Sequence, residues 1–253
     1  MPNQEKRIVS WFSCGAASAV ATKLKISEGK PVVVAYCYVK EEHPDNMRFL
    51  KDCEEWFGQE ILILKNEFYD GSYFNVFEKN FFRTPSGSPC TRALKRQVRM
   101  NFQKENDVVV FGFTAEEQDR LNTFIDQNND VEVCAPLIER GLLKSEVLAM
   151  VERAGIELPE MYKLGYEHNN CIGCVKGGMG YWNKIRVDFP ERFKEVADFE
   201  KRKGYTVLKE KIKGSDKSQP LFLHDLESDR GNINDEPKIE CGILCEIAEK
   251  SYS

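Results

Sequence analysis

Five short hydrophobic runs, separated by segments of helical pattern, constrain this chain more than any other feature. "RIVSWFS", "PVVVAYCYV", "EILILK", "DVVVFGF" and "VEVCAPL" are rich in β-branched and aromatic residues, the composition of strands. Their near-continuous apolar character, rather than alternation, suits strands covered on both faces of a parallel sheet. Between them lie "AVATKLKISEG", "DNMRFLKDCEEWFG" and "RALKRQVRMNFQKEN", each with helical spacing. Asp45 is placed to cap the second, and Gly29 and Gly58 suit helix ends. This alternation predicts an α/β fold with a doubly wound, five-stranded parallel sheet, Rossmann-like, over residues 1–140.

From residue 141 the pattern changes. "KSEVLAMVERAG" predicts a helix capped by Ser145, and "FPERFKEVADFEKRKG" another with Pro190 near its start. The stretch between them, running to "CVKGGMGYW", reads as a loop. Residues 141–212 thus form a helical extension. Residues 213–253 form a tail: 213–237 is polar and turn-rich, predicting a mobile loop, and the chain closes on "KIECGILCEIAEK".

The 253 residues suffice to bury a core. A net charge of -5 gives no global drive toward polyanions, so nucleic-acid binding would need a local basic patch. The first residues, "MPNQEKRIVS", carry no apolar signal region, and no run approaches a membrane span. A cytoplasmic location without membrane association is therefore expected. Nine cysteines, an odd number, argue against a disulfide framework and for metal, cluster or thiol chemistry. His43, His168 and His224 are too scattered for a metal set.

Five segments carry chemistry. "SWFSCGAASAV" follows the first strand and opens a helix. Its small residues let backbone N–H groups approach an anion, and Ser13 and Ser18 bring hydroxyls. On pattern alone it is either a phosphate loop or a tight turn that binds nothing. In "PCTRALKRQ", Cys90 stands beside Arg92, Lys95 and Arg96, cations that suit a thiolate, a sulfate or a phosphate. The same pattern fits a solvated basic helix. "NNCIGCVKGG" holds the Cys171/Cys174 C-x-x-C pair, which serves a metal, a cluster, a redox couple or only structure. Cys90 is the natural third ligand, with Cys241 or Cys245 as a fourth. "FGFTAEEQDR" sets Gly112, Glu116, Glu117 and Arg120 at the carboxyl end of a strand, where open sheets bind ligands. "IECGILCE" puts Cys241 beside a glycine near the chain end, as a swinging nucleophile or a stray thiol.

Taken in order, these segments resemble the phosphoadenosine phosphosulfate (PAPS) reductase family, within the adenine nucleotide α-hydrolase-like ATP pyrophosphatases. "FSCGAAS" falls where that family carries its S-G-G-x-D-S/T phosphate loop. "PCTRALK" is similar to the cysteine segment of cluster-holding sulfonucleotide reductases. "FGFTAEEQDR" resembles the G-x-x-x-x-E-x-x-R stretch that contacts nucleotide. "CAPLIERGLLKSEVLAMVERAGIELPEMYKLGYEHNNCIGC" follows the family's path to its C-x-x-C, and "IECGILCE" resembles the terminal E-C-G-(I/L)-H motif.

The resemblance implies a PAPS, APS or ATP site on Ser13, Gly15, Ala16, Ser18, Gly112, Glu116 and Arg120, with Arg92 and Lys95 near the sulfate. It implies Cys241 as nucleophile, and a [4Fe-4S] cluster (or zinc) on Cys90, Cys171, Cys174 and a further donor such as Cys245. A thioredoxin-like reductant and a homo-oligomer are expected. The departures are specific. Cys14 and Ala17 replace a glycine and the acid of the loop, Pro89 stands where cluster enzymes have a second adjacent cysteine, and Cys245 comes where the tail histidine is absent. Backbone anion binding survives these changes, whereas the cation-placing role of the acid is lost. An incomplete ligand set resembles cluster-dependent tRNA thiolases, so an ATP-dependent sulfurtransferase acting on tRNA or DNA is the alternative enzyme. A non-catalytic nucleotide-binding module is the third reading, supported by Ala17.

Overall fold

The computed structural model describes residues 6–84, 87–237 and 239. The five predicted strands form one parallel sheet: β1 (Ile8–Phe12), β2 (Val32–Cys37), β3 (Leu62–Leu64), β4 (Val108–Val110) and β5 (Glu132–Cys134), in the order β3-β2-β1-β4-β5. The chain winds outward from β1 to β3, then crosses back to β4 and β5. The carboxyl ends of β1 and β4 therefore flank the point where strand order reverses, which leaves a crevice. All five residues of β1 are buried, as continuous hydrophobicity requires of a central strand.

Helices cover both faces. α1 (Ala16–Ile26) and α2 (Asn46–Phe57) pack on one, with Phe12, Val20, Phe49 and Leu137 in a shared core. α3 (Tyr73–Lys79) leads to a helical run that begins as α4 (Pro89–Thr91), widens into a π-turn over Arg92–Arg96 and ends as α5 (Gln97–Phe102). α5 and α6 (Gln118–Gln127) cover the opposite face around Trp11, Phe111 and Phe124. The short α7 (Pro136–Glu139) precedes α8 (Lys144–Arg153), which packs beside α1. Ser145 is not the cap of α8: Leu143 is, and its N–H donates to the Glu146 carboxylate at 2.8 Å. Asp45 does stand at the start of α2, but its carboxylate binds Arg48 and the N–H of Glu160, not the helix amides. That N–H opens α9 (Glu160–Lys163).

A third core joins the C-x-x-C segment to α10 (Met179–Asp188) and α11 (Pro190–Lys203), with Trp182 and Ile185 fully buried. α10 begins inside the stretch expected as a loop. The polar region after it also differs from the expected mobile loop: β6 (Leu208–Lys211) and β7 (Ser218–Leu221) pair antiparallel, and Leu221, Leu223 and Leu226 are buried. Three buried leucines in a mostly polar stretch suffice to dock it. No helix among the described residues is long and apolar enough to cross a membrane.

One buried acid ties this region together. The Glu200 carboxylate accepts from the Val207 N–H at 2.6 Å and the Leu223 N–H at 2.7 Å, joining the end of α11 to the hairpin. Burial pushes its pKa up to about 7. Replacing it with Gln leaves one of the two N–H groups without an acceptor, so Glu200→Gln lowers unfolding stability by about 1–3 kcal/mol. A carboxyl whose folded pKa is raised gives up stability as pH rises from its unfolded value of 4.5 toward 7. The cost of Glu200→Gln accordingly shrinks across that window, which denaturant unfolding of the two proteins at several pH values measures.

Candidate functional site

A cavity of about 470 Å³ opens where the strand order reverses. It is walled by Trp11 to Ser13 at the end of β1, by Gly15 to Ser18 at the start of α1, and by Phe111 to Thr114 after β4. Tyr162, Asn169 and Asn170 close another side. Of the residues expected to hold nucleotide or sulfate, Ser13, Gly15, Ala16, Ser18, Gly112, Glu116, Arg120 and Lys95 all line it. Arg92 is exposed on the π-turn and is not among the described lining residues.

The loop at residues 13–18 is held by its own serines. The Ser18 hydroxyl accepts from the Ser13 N–H and the Ser13 hydroxyl, both at 3.0 Å, and donates to the Gly15 carbonyl at 2.9 Å. Ser18 thus shapes the loop, while Ser13 stays exposed at the cavity. Cys14 turns the chain with φ 55°, a left-handed conformation costly for a residue with a Cβ. Its carbonyl accepts from Asn169 Nδ2 at 2.6 Å, which anchors the strained residue. The first amides of α1 have no acceptors within the helix, and the residues that carry them line the cavity, an arrangement suited to anions.

Gly112 shows why β4 must end in glycine. A Cβ there would lie 2.6 Å from Ala17 C and Ser18 N, inside the backbone of the loop. The strand end and the loop touch main chain to main chain. Beyond it, Thr114 opens a short 3₁₀ turn, and the Glu117 carboxylate accepts from the Thr114 N–H at 3.0 Å and its hydroxyl at 3.2 Å. Glu117 also pairs with Arg120, so Glu117, rather than Glu116, positions the arginine. Glu116 instead accepts from the Lys144 N–H at 3.2 Å, while Lys144 Nζ donates to the Glu167 carbonyl at 2.6 Å.

Beneath the loop lies a buried polar network that single-sequence reasoning missed. Glu42 accepts from the Tyr36 hydroxyl at 2.5 Å, Asn46 Nδ2 at 3.0 Å and Lys95 Nζ at 2.9 Å. Asn46 passes the connection to Asn169, whose Nδ2 donates to Asn46 Oδ1 at 2.7 Å. Burial, then the Glu42 charge, pushes the Cys14 thiol well up, and burial pushes Cys37 up to about 12. Both are neutral thiols near pH 7 and unsuited to attack. Nothing in "YVKEEHPDN" marked Glu42 as buried, since two adjacent glutamates read as solvated.

The thiol pair lies outside the cavity lining. Cys171 and Cys174 are buried on a turn in which Gly173 has φ 77°. The Tyr181 hydroxyl accepts from the Gly173 and Cys174 N–H groups at 3.1 and 2.9 Å and donates to the Cys171 carbonyl at 3.2 Å. Cys90 packs at the edge of the same core, half-buried. Among the described residues, no group of three or more His, Cys, Asp or Glu comes together that could hold a metal ion. The described donors alone therefore do not fit a four-iron cluster. Cys241 and Cys245 lie outside the described residues.

The family described as the phosphoadenosine phosphosulfate reductase domain matches residues 7–177. Among solved structures, the fold is similar to the crystal structure of phosphoadenylyl-sulfate (PAPS) reductase from Candida auris in a phosphate complex. The TM-score is 0.52, at 14% identity over 66% of this chain and 82% of that one. A structure of NMN synthetase from Francisella tularensis aligns over 83% of this chain and 91% of that one, at 15% identity and a TM-score of 0.43. No curated protein sequence matches the chain. The family match runs unbroken from β1 through the walls of the cavity to the turn after Cys174, about two thirds of the sequence, and on it the chain belongs to the phosphoadenosine phosphosulfate reductase domain family.

Proposed function

We propose that this protein binds an adenine sulfonucleotide in the switch-point cavity and reduces its sulfate group to sulfite with Cys241 as nucleophile. The observation that carries this reading is the position of Ile239. It lines the cavity, its carbonyl accepts from Asn170 Nδ2 at 2.7 Å, and it precedes Cys241 by two residues. Two residues of chain span at most about 7 Å.

The 5′-phosphate lies on the amides at the start of α1, with Arg120 and Lys95 on the cavity wall. The Cys241 thiolate attacks the sulfonate sulfur. A sulfur–sulfur bond forms, the bond from sulfur to the bridging oxygen breaks, and its electron pair leaves with the nucleotide phosphate. A thioredoxin-like dithiol then attacks Cys241 Sγ and expels sulfite with the bonding pair. The reductant's second thiol closes its disulfide, and Cys241 is regenerated. The cluster suggested by the resemblance would take Cys90, Cys171 and Cys174 with a donor from outside the described residues.

Three outcomes test this. Cys241→Ser abolishes sulfite release from PAPS or APS while nucleotide affinity, measured by calorimetry, is retained; unchanged sulfite production removes the mechanism. Gly112→Ala forces the loop away from β4 and weakens binding of adenosine 3′,5′-bisphosphate by about tenfold or more, as overpacking of 1–3 kcal/mol implies; unaltered affinity shows that the loop does not hold the phosphate. For the cluster, anaerobically purified protein is brown with absorption near ~400 nm and contains iron and sulfide together; a colourless protein assigns the thiol pair to structure alone.

A further inference from the structure

The sequence "GGMGYW" lines no part of the described cavity, yet its glycines are among the most crowded of the described residues. A Cβ on Gly177 would lie 1.9 Å from the Tyr181 ring, one on Gly178 2.5 Å from the Glu236 carboxyl carbon, and one on Gly180 2.4 Å from the Ile233 nitrogen. Each missing side chain makes room for a different neighbour, and two of the three neighbours belong to the C-terminal segment. The Glu236 carboxylate occupies the space at the start of α10. Its oxygens accept from the Gly180 N–H at 2.5 Å and the Tyr181 N–H at 3.1 Å, where the helix dipole also favours negative charge.

This cap is one of a series of anchors. Arg186 holds the Leu226 carbonyl at 2.6 Å, and Asn183 Nδ2 holds those of Glu227 and Arg230 at 2.9 and 2.7 Å. Gly231 packs on Gly180, Glu236 caps the helix, and Asn170 takes the Ile239 carbonyl. The segment thus runs along α10 toward its N-terminus and reaches the cavity. Tyr181 joins both devices: its N–H binds the Glu236 carboxylate and its hydroxyl sits in the Cys171–Cys174 turn.

We infer that Glu236 is a positioning residue, which docks the C-terminal strap on α10 at a fixed register so that Cys241 is delivered to the cavity. The inference rests on the reading of Cys241 as nucleophile. Its test uses the full chain with Glu236→Ala, and with Gly178→Ala, which crowds the same carboxylate.

Both variants speed amide hydrogen exchange across residues 231–239 by about tenfold or more as the cap is lost. Adenosine 3′,5′-bisphosphate slows iodoacetamide modification of Cys241 in the parent protein, followed peptide by peptide by mass spectrometry, and this protection disappears in the variants. Affinity for that nucleotide stays within about twofold, because Glu236 is not part of the cavity wall. The kcat for sulfite release falls with little change in KM. Exchange unaltered in both variants overturns the anchor. Faster exchange with intact protection of Cys241 and unchanged kcat overturns the positioning. A parent protein that releases no sulfite counts against the Cys241 reading, while exchange still decides whether Glu236 docks the strap.

Discussion

The Glu42 carboxylate is the interaction on which the cavity depends. A carboxylate taken out of water is costly unless it is fully matched, and here three donors from three elements converge on it. Tyr36 comes from β2, Asn46 from the first turn of α2, and Lys95 from the π-turn across the sheet. Asn46 then orients Asn169, and Asn169 holds the carbonyl of the strained Cys14. The loop's conformation is thereby fixed from below by side chains as well as by its own serines. Removing one partner would leave charge buried and unmatched, so the network behaves as a unit.

The sheet was legible in the sequence because buried parallel strands write themselves as unbroken apolar runs, and the five runs became β1 to β5. The small residues that line the cavity were legible because a tight turn after β1, and Gly112 after β4, are demanded by backbone contact. Less legible were elements whose logic lies in a distant partner. α10 was hidden because Gly177, Gly178 and Gly180 read as loop, yet they are small for what packs on them. The hairpin of β6 and β7 was hidden because its strands are polar and short, and only Leu221, Leu223 and Leu226 reach the core. Glu200, which holds that region by two backbone amides, looks like any charge on an amphipathic helix. Glu42 was unreadable for the same reason.

Ala17 gains meaning from the charges around it. A triphosphate bound with magnesium needs a carboxylate to place the ion, and the loop has none. The acids that line the cavity are already engaged: Glu116 with the Lys144 amide, Glu117 with Thr114 and Arg120, Glu167 with Lys144. Glu42 beneath them is matched to Lys95. Placing a metal-bound triphosphate here would take an acid from its partner and leave a cation behind. Amides at the start of α1, which give up no ion pair, suit a phosphate bound without such an ion.

That distinction separates reaction at sulfur from cleavage of ATP. In attack on a sulfonate sulfur, negative charge develops on the phosphate oxygen that leaves, and on the proposed reading the loop amides receive it. The nucleophile must then approach from the opposite side of the sulfur, from outside the cavity. Cys37 on the cavity wall and Cys14 beneath the loop are held neutral by burial. On the proposed reading, Cys241, two residues beyond the anchored Ile239, is the cysteine that supplies the attack. On the proposed reading, the crowded glycines of α10 and the missing acid of the loop are two parts of one arrangement, in which backbone holds phosphate and the reactive sulfur comes from outside the loop.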